Sequence, residues 1–421
     1  MSNDDPQRDF AVEVVQRLTD AGYQALWAGG CVRDSLLGRL PKDYDVATSA
    51  LPDQVRQVFG NHKTLTVGAS FGVIIVLGSK KARQIEVATF RTDGDYLDGR
   101  HPASVSFSTP EEDAKRRDFT INGMFYDPVD EKVLDFVGGE ADLNARIVRA
   151  IGNPQDRMTE DKLRMLRAVR FTANLGFELD QATADAIRGM ASQITVVSAE
   201  RISQELKRIL VDPNRSIGLA LANDVNLLPA ILPELSPVII ECGAASYSEW
   251  EQTLQMLLKL ENPSFELAAA TLLRSMQQPR SVRTLCRRLK LSNDEIDRIE
   301  WVVEHQDDLH QASELSQAQL KRTLSHRYAA DLLQSMRAEA NVIGKHAESA
   351  KFCTQFLKET PAVELNPPPL LTGNDLIARG LDPGREFKQL LDTVRDAQLE
   401  GEITSAAEAI ELALQLSRRH Q

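Results

Sequence analysis

Several things are scarce in this 421-residue sequence, and each scarcity excludes a class of protein. No apolar run approaches the ~20 residues that cross a bilayer, so no membrane span is expected. The opening MSNDDPQRDF is polar and acidic and has no apolar core, so it does not read as a secretory signal, and a cytoplasmic protein is expected. The four cysteines, Cys31, Cys242, Cys286 and Cys353, lie far apart without a C-x-x-C pair. That spacing argues against a zinc site and a disulfide framework and leaves buried thiols. Positive charge is also short: the net charge is −12, which by itself counts against a nucleic-acid partner. Net charge does not locate charge, however, and an acidic protein can carry a basic face. There is no internal repeat and no low-complexity tract. What remains is an ordinary globular composition, 42% hydrophobic and 26% charged, in a chain long enough for about two to four domains.

The richest stretch runs from Gly29 to Asp45, GGCVRDSLLGRLPKDYD. A short apolar run, Ala25 to Ala28, leads into Gly29-Gly30, where a backbone without Cβ atoms can approach a ligand and aim N–H groups at phosphate oxygens. Val32 to Leu37 reads as a helical turn that places Arg33 and a helix N-terminus where an anion is favoured. Asp43 and Asp45 flank Tyr44 at the start of a strand, and residues two apart on a strand share a face. Two carboxylates on one face beside a phosphate-binding turn suit Mg²⁺ held against a triphosphate. A lone D-x-D or G-G is usually a turn; the combination at this spacing is what carries information.

Ala11 to Leu18 reads as an amphipathic helix, and Val73–Leu77, Gln84–Phe90 and Lys132–Phe136 read as strands. In Gln84–Phe90, Glu86 interrupts an apolar run. It reads either as a third carboxylate beside Asp43 and Asp45, serving as metal ligand or base, or as an exposed position on an edge strand. Phe90 to Pro102 is a polar, glycine-bearing surface loop. Lys115 to Met124, KRRDFTINGM, puts Asp118 and Asn122 at i and i+4, on one face if helical, with Arg117 available for phosphate. From Glu160 onward the periodicity is helical, with breaks expected at Asp212-Pro213, Leu228-Pro229, Leu232-Pro233, Asn262-Pro263 and Gln278-Pro279 and a linker at Glu364–Pro369. The helix expected over Glu160–Phe171 carries Arg164, Arg167 and Arg170 as one ridge, with Asp161 beside Arg164. Arg274 to Lys290 is the densest basic region, and Arg283, Arg287 and Arg288 are its candidates for tracking RNA phosphates.

Taken in order, GG-C-VRD-S-LLG with D-Y-D, the F-R-x-D-x-x-Y-x-D-x-R-x-P loop, R-R-D with F-T-I-N, and E-D-x-x-R-x-x-R-x-x-R resemble the class II tRNA nucleotidyltransferases. These are the CCA-adding enzymes, with the bacterial poly(A) polymerases as close relatives. Glu200–Leu210 resembles the helix closing that family's core, and Leu371 onward resembles its C-terminal tail. The resemblance implies an α+β, polymerase β-like nucleotidyltransferase head with a mixed sheet over residues 1–145. A helical neck (146–210), a body (211–365) and a tail (370–421) would follow, with RNA binding in the last two.

It also implies template-independent addition of CCA to the 3′ end of tRNA from CTP and ATP. Asp43 and Asp45 would bind Mg²⁺ for attack of the tRNA 3′-hydroxyl on the α-phosphate. Gly29, Gly30, Arg33, Arg117, Asp118 and Asn122 would hold the nucleotide. Asp161 and Arg164 would read the base, leaving Arg167 and Arg170 for the triphosphate. Cytosine and adenine both present an amine donor beside a ring-nitrogen acceptor, so a carboxylate with a guanidinium accepts both and mispairs with guanine or uracil. The loop at Phe90 implies that A is added. An A-adding enzyme working with a CC-adding partner shares every motif quoted. Bacterial poly(A) polymerases carry R-R-F-x-L-x-H where this chain has Gly68–Val73 and an arginine-rich extension absent here. A catalytically silent RNA-binding relative is disfavoured by intact Asp43, Asp45, Asp161 and Arg164.

Overall fold

The structure is a computed structural model that describes residues 5–66, 72–93, 105–240, 248–276, 278–379 and 385–419. Contacts divide the chain into two units, Met1–Pro233 and Glu234–Gln421.

The first unit begins with the helix Pro6–Asp20, started by Asp5, whose carboxylate accepts from the N–H groups of Gln7 and Arg8 at 3.2 Å. Its buried residues, Ala11, Val14, Val15 and Leu18, follow the i, i+3, i+4, i+7 spacing of one helix face. The central sheet has seven strands: β1 (Ala25–Ala28), β2 (Asp45–Thr48), β3 (Thr64–Leu65), β4 (Val73–Leu77), β5 (Gln84–Thr89), β8 (Phe125–Asp127) and β9 (Lys132–Leu134). Between β5 and β8 the chain makes a separate antiparallel pair, β6 (Arg91–Asp93) with β7 (Val105–Phe107). The sheet order is β3-β4-β5-β2-β1-β8-β9, and it is mixed because β2 and β5 run parallel while the other pairs are antiparallel. β5 is therefore an interior strand and not an edge. Most of the expected loop at Phe90–Pro102 lies outside the described residues, as do Gly68 to Phe71, Cys242 and Gly380 to Gly384.

Three helical expectations are corrected. The run Glu160–Phe171 is not one helix: Pro154–Glu160 ends at Asp161, whose backbone is extended (φ −143°, ψ 106°), and a second helix spans Leu163–Leu175. The Asp161 carboxylate accepts the Leu163 N–H at 3.0 Å, a local bond that competes with helix continuation. Asp118 and Asn122 are not on a helix either, because Pro110–Lys115 ends before them and Thr120–Asn122 is a 3₁₀ turn. Nor does Pro229 break a helix; it lies in the first turn of Leu227–Ile231, where its missing N–H costs nothing. The region after Asp142 also contains a short parallel pair, β10 (Ile147–Val148) with β11 (Glu178–Leu179).

In the second unit all the described regular structure is helical. One core gathers Leu309, Leu320, Leu332, Met336 and Cys353, and another gathers Leu371, Leu376, Val394, Ile403 and Ala413. The prolines at 367–369 lie in irregular chain between them. Cys31, Cys286 and Cys353 are free and buried, and burial pushes their thiols up to about 11, 12 and 11, which leaves them unreactive.

Candidate active site

The sheet register sets two carboxylates side by side, and the chain leading into β2 brings a third, Asp43, within reach of Asp45. Tyr44 is buried between exposed Asp43 and Asp45, and along β2 the residues after Asp45 are buried. Tyr44 is anchored behind the sheet by its hydroxyl, which donates to Asp5 at 3.1 Å, and by Trp27, ring to ring at 4.9 Å. Asp45 and Glu86 are register partners across the parallel β2/β5 pair. Glu86 is exposed while Ile85 and Val87 are buried, so the apolar run in which it stands out is the alternation of a half-buried strand.

Among the described residues, none of these three carboxylates accepts a hydrogen bond or forms an ion pair. Asp45 is pushed up to about 6, first by its partial withdrawal from water and then by repulsion from Glu86 and Asp43, against the pull of Arg117. Unneutralised carboxylate oxygens crowded at one edge are the donor set that a hard divalent cation takes. Among the described residues they do not form a closed three-ligand cage, and Mg²⁺ characteristically completes its shell with substrate phosphates and water.

Beside them is the glycine turn. Gly29 has φ 75° and ψ −126°, a conformation reserved for glycine, and opens the helix Gly30–Leu36 without any side-chain cap. A Cβ at Gly29 would stand 3.1 Å from Arg117 Nη1, so glycine also admits that guanidinium to the turn. Arg117 is held by Asp113, whose carboxylate accepts from it at 2.9 Å and from Arg116 at 2.7 Å.

The expected nucleotide residues are joined in a polar chain. Arg33 donates to Asn122 Oδ1 at 2.6 Å and pairs with Asp34 at 2.7 Å. The Asn122 amide donates to Asp118 at 3.1 Å, so these two do meet, through a turn and not across a helix. The other Asp118 oxygen accepts from Arg167 at 2.5 and 2.9 Å. Burial works against the Asp118 charge, but Arg167 and the Asn122 amide hold it at about 2.

On the neck helix the pairings differ from those expected. Arg164 is buried, 8% exposed, and donates to Glu160 at 2.5 Å and to the carbonyls of Arg157 and Arg116 at 3.0 and 3.1 Å. The Asp161 carboxylate is gripped by Arg201, at 2.7 and 3.2 Å, from the helix Ala199–Leu210. The two are linked by backbone, with Arg164 N–H donating to Asp161 O at 3.0 Å. Arg167 and Arg170 are not free cations: Asp118 holds the first and Glu205, 3% exposed, the second at 2.5 Å.

Sequence reasoning missed Arg201 as the holder of Asp161, and no local spacing signals a partner forty residues away. Glu205 was legible: it lies among Ile202, Leu206 and Ile209 on the apolar face of its helix. Asp113 was legible as well, three and four residues before Arg116 and Arg117. In the second unit, Arg283 pairs with Asp297 at 2.8 Å and with Glu300, and Arg288 with Glu234 at 2.8 Å. Of the three RNA-binding candidates only Arg287 is exposed and without an ion pair among the described residues.

The family model of the Poly A polymerase head domain matches residues 25–149, and that of tRNA nucleotidyltransferase domain 2 matches residues 260–414. The CCA-adding enzyme of Geobacillus kaustophilus is 33% identical over 411 residues, covering 96% of each chain. That of Bacillus subtilis is 47% identical over 201 residues, 48% of this chain and 49% of its own. The crystal structure of the Bacillus stearothermophilus CCA-adding enzyme in complex with CTP superposes with a TM-score of 0.78 and 28% identity over 100% of this chain and 99% of that one. With full-length likeness in sequence and in fold, and with the glycine turn and the aspartates set beside Glu86 at β1, β2 and β5, this chain belongs to the family of class II CCA-adding tRNA nucleotidyltransferases.

Proposed function

We propose that the protein restores the 3′ CCA of tRNA by template-independent transfer of nucleotides from CTP and ATP, releasing pyrophosphate. The observation that carries this reading is the register that sets Glu86 opposite Asp45, with exposed Asp43 two residues before Asp45 and close enough to act on its charge. A divalent metal is general to nucleotidyltransferases of this family, and we assign Mg²⁺ to Asp43 and Asp45. When bound, it supplies Lewis-acid activation of the attacking 3′-hydroxyl and charge stabilisation at the α-phosphate.

The chain's own residues do the rest. Gly29 and Gly30 bring the backbone close to the triphosphate, and Arg117, poised by Asp113, supplies positive charge beside the carboxylates. Glu86 serves as third ligand or as proton acceptor for the 3′-hydroxyl. Asp161 and Arg164 read the pairing edge of cytosine or adenine. Arg33, Asn122, Asp118 and Arg167 form a frame that holds the glycine turn against the neck helix, so Arg167 acts through position and not as a free phosphate ligand. Glu205 keeps Arg170 in the same supporting role. We assign the head to residues 1–145, the neck to 146–210, and the body and tail to 211–365 and 370–421. Among the described residues no helix is long and apolar enough to cross a membrane.

The test uses purified protein, Mg²⁺, labelled CTP or ATP, and tRNA transcripts ending before CCA, after C, or after CC. Incorporation of C, C and A in turn is expected. Use of ATP only after CC would make it an A-adding enzyme, long A tails on generic RNA a poly(A) polymerase, and no incorporation at all would refute the enzyme reading.

A further inference from the structure

The basic run at Arg274–Lys290 was the natural place to look for RNA contacts, but carboxylates occupy much of it. Besides the pairs of Arg283 and Arg288, Arg274 donates to Glu339 at 2.6 Å. A different part of the second unit has the opposite character. The helices Ala329–Ile343 and Ala347–Glu359, joined by the short turn at Gly344, pack side by side and leave a groove of about 460 Å³ between them. Every charged residue lining it is a cation: Arg337, Lys351 and Lys358.

Arg337 is exposed and donates to the Thr354 hydroxyl at 2.8 Å, a neutral partner that orients the guanidinium without cancelling its charge. Lys358 is exposed and has no ion pair among the described residues. Lys351 meets Glu348 at 2.8 Å, but both side chains are mostly in water, where such a pair contributes little. Lys351 and Lys358 are seven residues apart on one helix, two turns or about 10 Å. Between the cations the floor is lined by Ala340, Ala347 and Ala350 and by the uncharged polar Asn341, Thr354 and Gln355.

In a protein with a net charge of −12, a groove whose charged lining residues are all cations answers no internal demand: Arg337, Lys351 and Lys358 are exposed, and among the described residues none of them pairs with a buried acid. Its floor lacks the large aromatic anchors of a protein interface and the bulky apolar residues that insert into a lipid surface. A row of separated positive charges over a smooth floor matches a sugar-phosphate backbone. We propose that this groove holds the phosphodiester backbone of the tRNA substrate, and that the helical body grips RNA here and not at Arg283 and Arg288. The proposal rests on the reading of tRNA as substrate.

The experiment uses the full chain and a tRNA transcript lacking CCA. Binding is measured from 50 to 200 mM KCl for the wild type and for Arg337→Gln/Lys351→Gln/Lys358→Gln. With each cation neutralising about one phosphate, the triple variant is expected to bind about 10-fold or more weakly at 100 mM salt, with the slope of log K against log [salt] reduced by about 2 to 3. KM for CTP and ATP, and kcat at saturating tRNA, are expected to stay unchanged. Unaltered affinity and slope, or a loss expressed in the nucleotide KM, overturns the proposal.

If the triple variant loses its fold by circular dichroism, the single changes Lys351→Glu and Lys358→Glu at exposed positions decide. Each is expected to weaken tRNA binding several-fold, and wild-type binding by both overturns the groove. A wild type that extends tRNA while the variants bind it normally refutes only the groove; a wild type that neither binds nor extends tRNA refutes the substrate reading with it.

Discussion

Replacing Asp45 by asparagine should stabilise the protein while abolishing its chemistry. In the folded head the Asp45 carboxyl titrates near 6, against an ordinary value of 3.8. Because the folded value is the higher, the native state binds this proton more tightly than the unfolded chain does. Asp45 therefore does not weaken the fold below pH ~4, weakens it progressively as pH rises, and does so fully above ~6. About two units at ~1.4 kcal/mol each give an upper bound near 3 kcal/mol. Because Asp45 is only partly withdrawn from water and keeps an exposed edge, screening reduces this to about 1 kcal/mol. For a unit of this size that is a rise in Tm of about 2–4 °C at pH 7.5. The assay is thermal unfolding of wild type and Asp45→Asn in EDTA across a pH series. The gap should narrow as pH falls through 6 and close near 4. Saturating Mg²⁺, at about 100 times its Kd, should raise wild-type stability by about 2.7 kcal/mol and leave the variant nearly unmoved. A variant no more stable than wild type at pH 7.5, or a gap that persists at pH 4, would refute the crowded-carboxylate account.

Four further outcomes test the rest of the site. Asp161→Ala or Arg164→Ala should relax nucleotide choice toward UTP or GTP in single-nucleotide incorporation assays; reduced rate with unchanged selectivity would remove them from base reading. Arg201→Ala should misplace Asp161 and lower kcat/KM for CTP and ATP by up to about 10²-fold, read by steady-state kinetics, with tRNA affinity unchanged. Glu205→Ala leaves Arg170 without its buried partner and should destabilise the first unit by about 3 kcal/mol, measured by urea unfolding. Gly29→Ala forces a side chain into a backbone conformation it disfavours and against Arg117, so it should cost about 1–3 kcal/mol and raise the nucleotide KM.

Where side chains are set by local geometry, the linear sequence was a sound guide. Asp43, Tyr44 and Asp45 are exposed, buried and exposed as the D-Y-D spacing suggests, although the strand itself begins only at Asp45. The glycine turn followed by a short helix is likewise a matter of neighbouring residues. Local reasoning failed where a side chain had a choice of partners. E-D-x-x-R reads as a continuous helix by spacing, yet Asp161 bonds the Leu163 N–H and Arg201 instead, and the helix breaks there. Lys115–Met124 shows the same effect, with Asp118 capping Phe119 N–H at 2.8 Å where a helical turn was expected.

Family membership, the mixed head, the helical remainder and the two aspartates were thus legible from one-dimensional order, because each depends on residues within a few positions of one another. The partnerships that decide function were not. Glu86 reads from spacing either as an exposed edge residue or as a third carboxylate, and only the parallel pairing of β2 with β5 sets it opposite Asp45. The arginine ridge reads as free cations, and only the return of the chain brings Asp118 and Glu205 to Arg167 and Arg170. The Arg283 region likewise looks like the basic face until Asp297, Glu300 and Glu234 are folded against it, which leaves Arg287 alone of its three candidates without an ion pair among the described residues. Charge compensation acts through space over a few ångströms, so sequence separations of 14 to 54 residues conceal it until the fold is known.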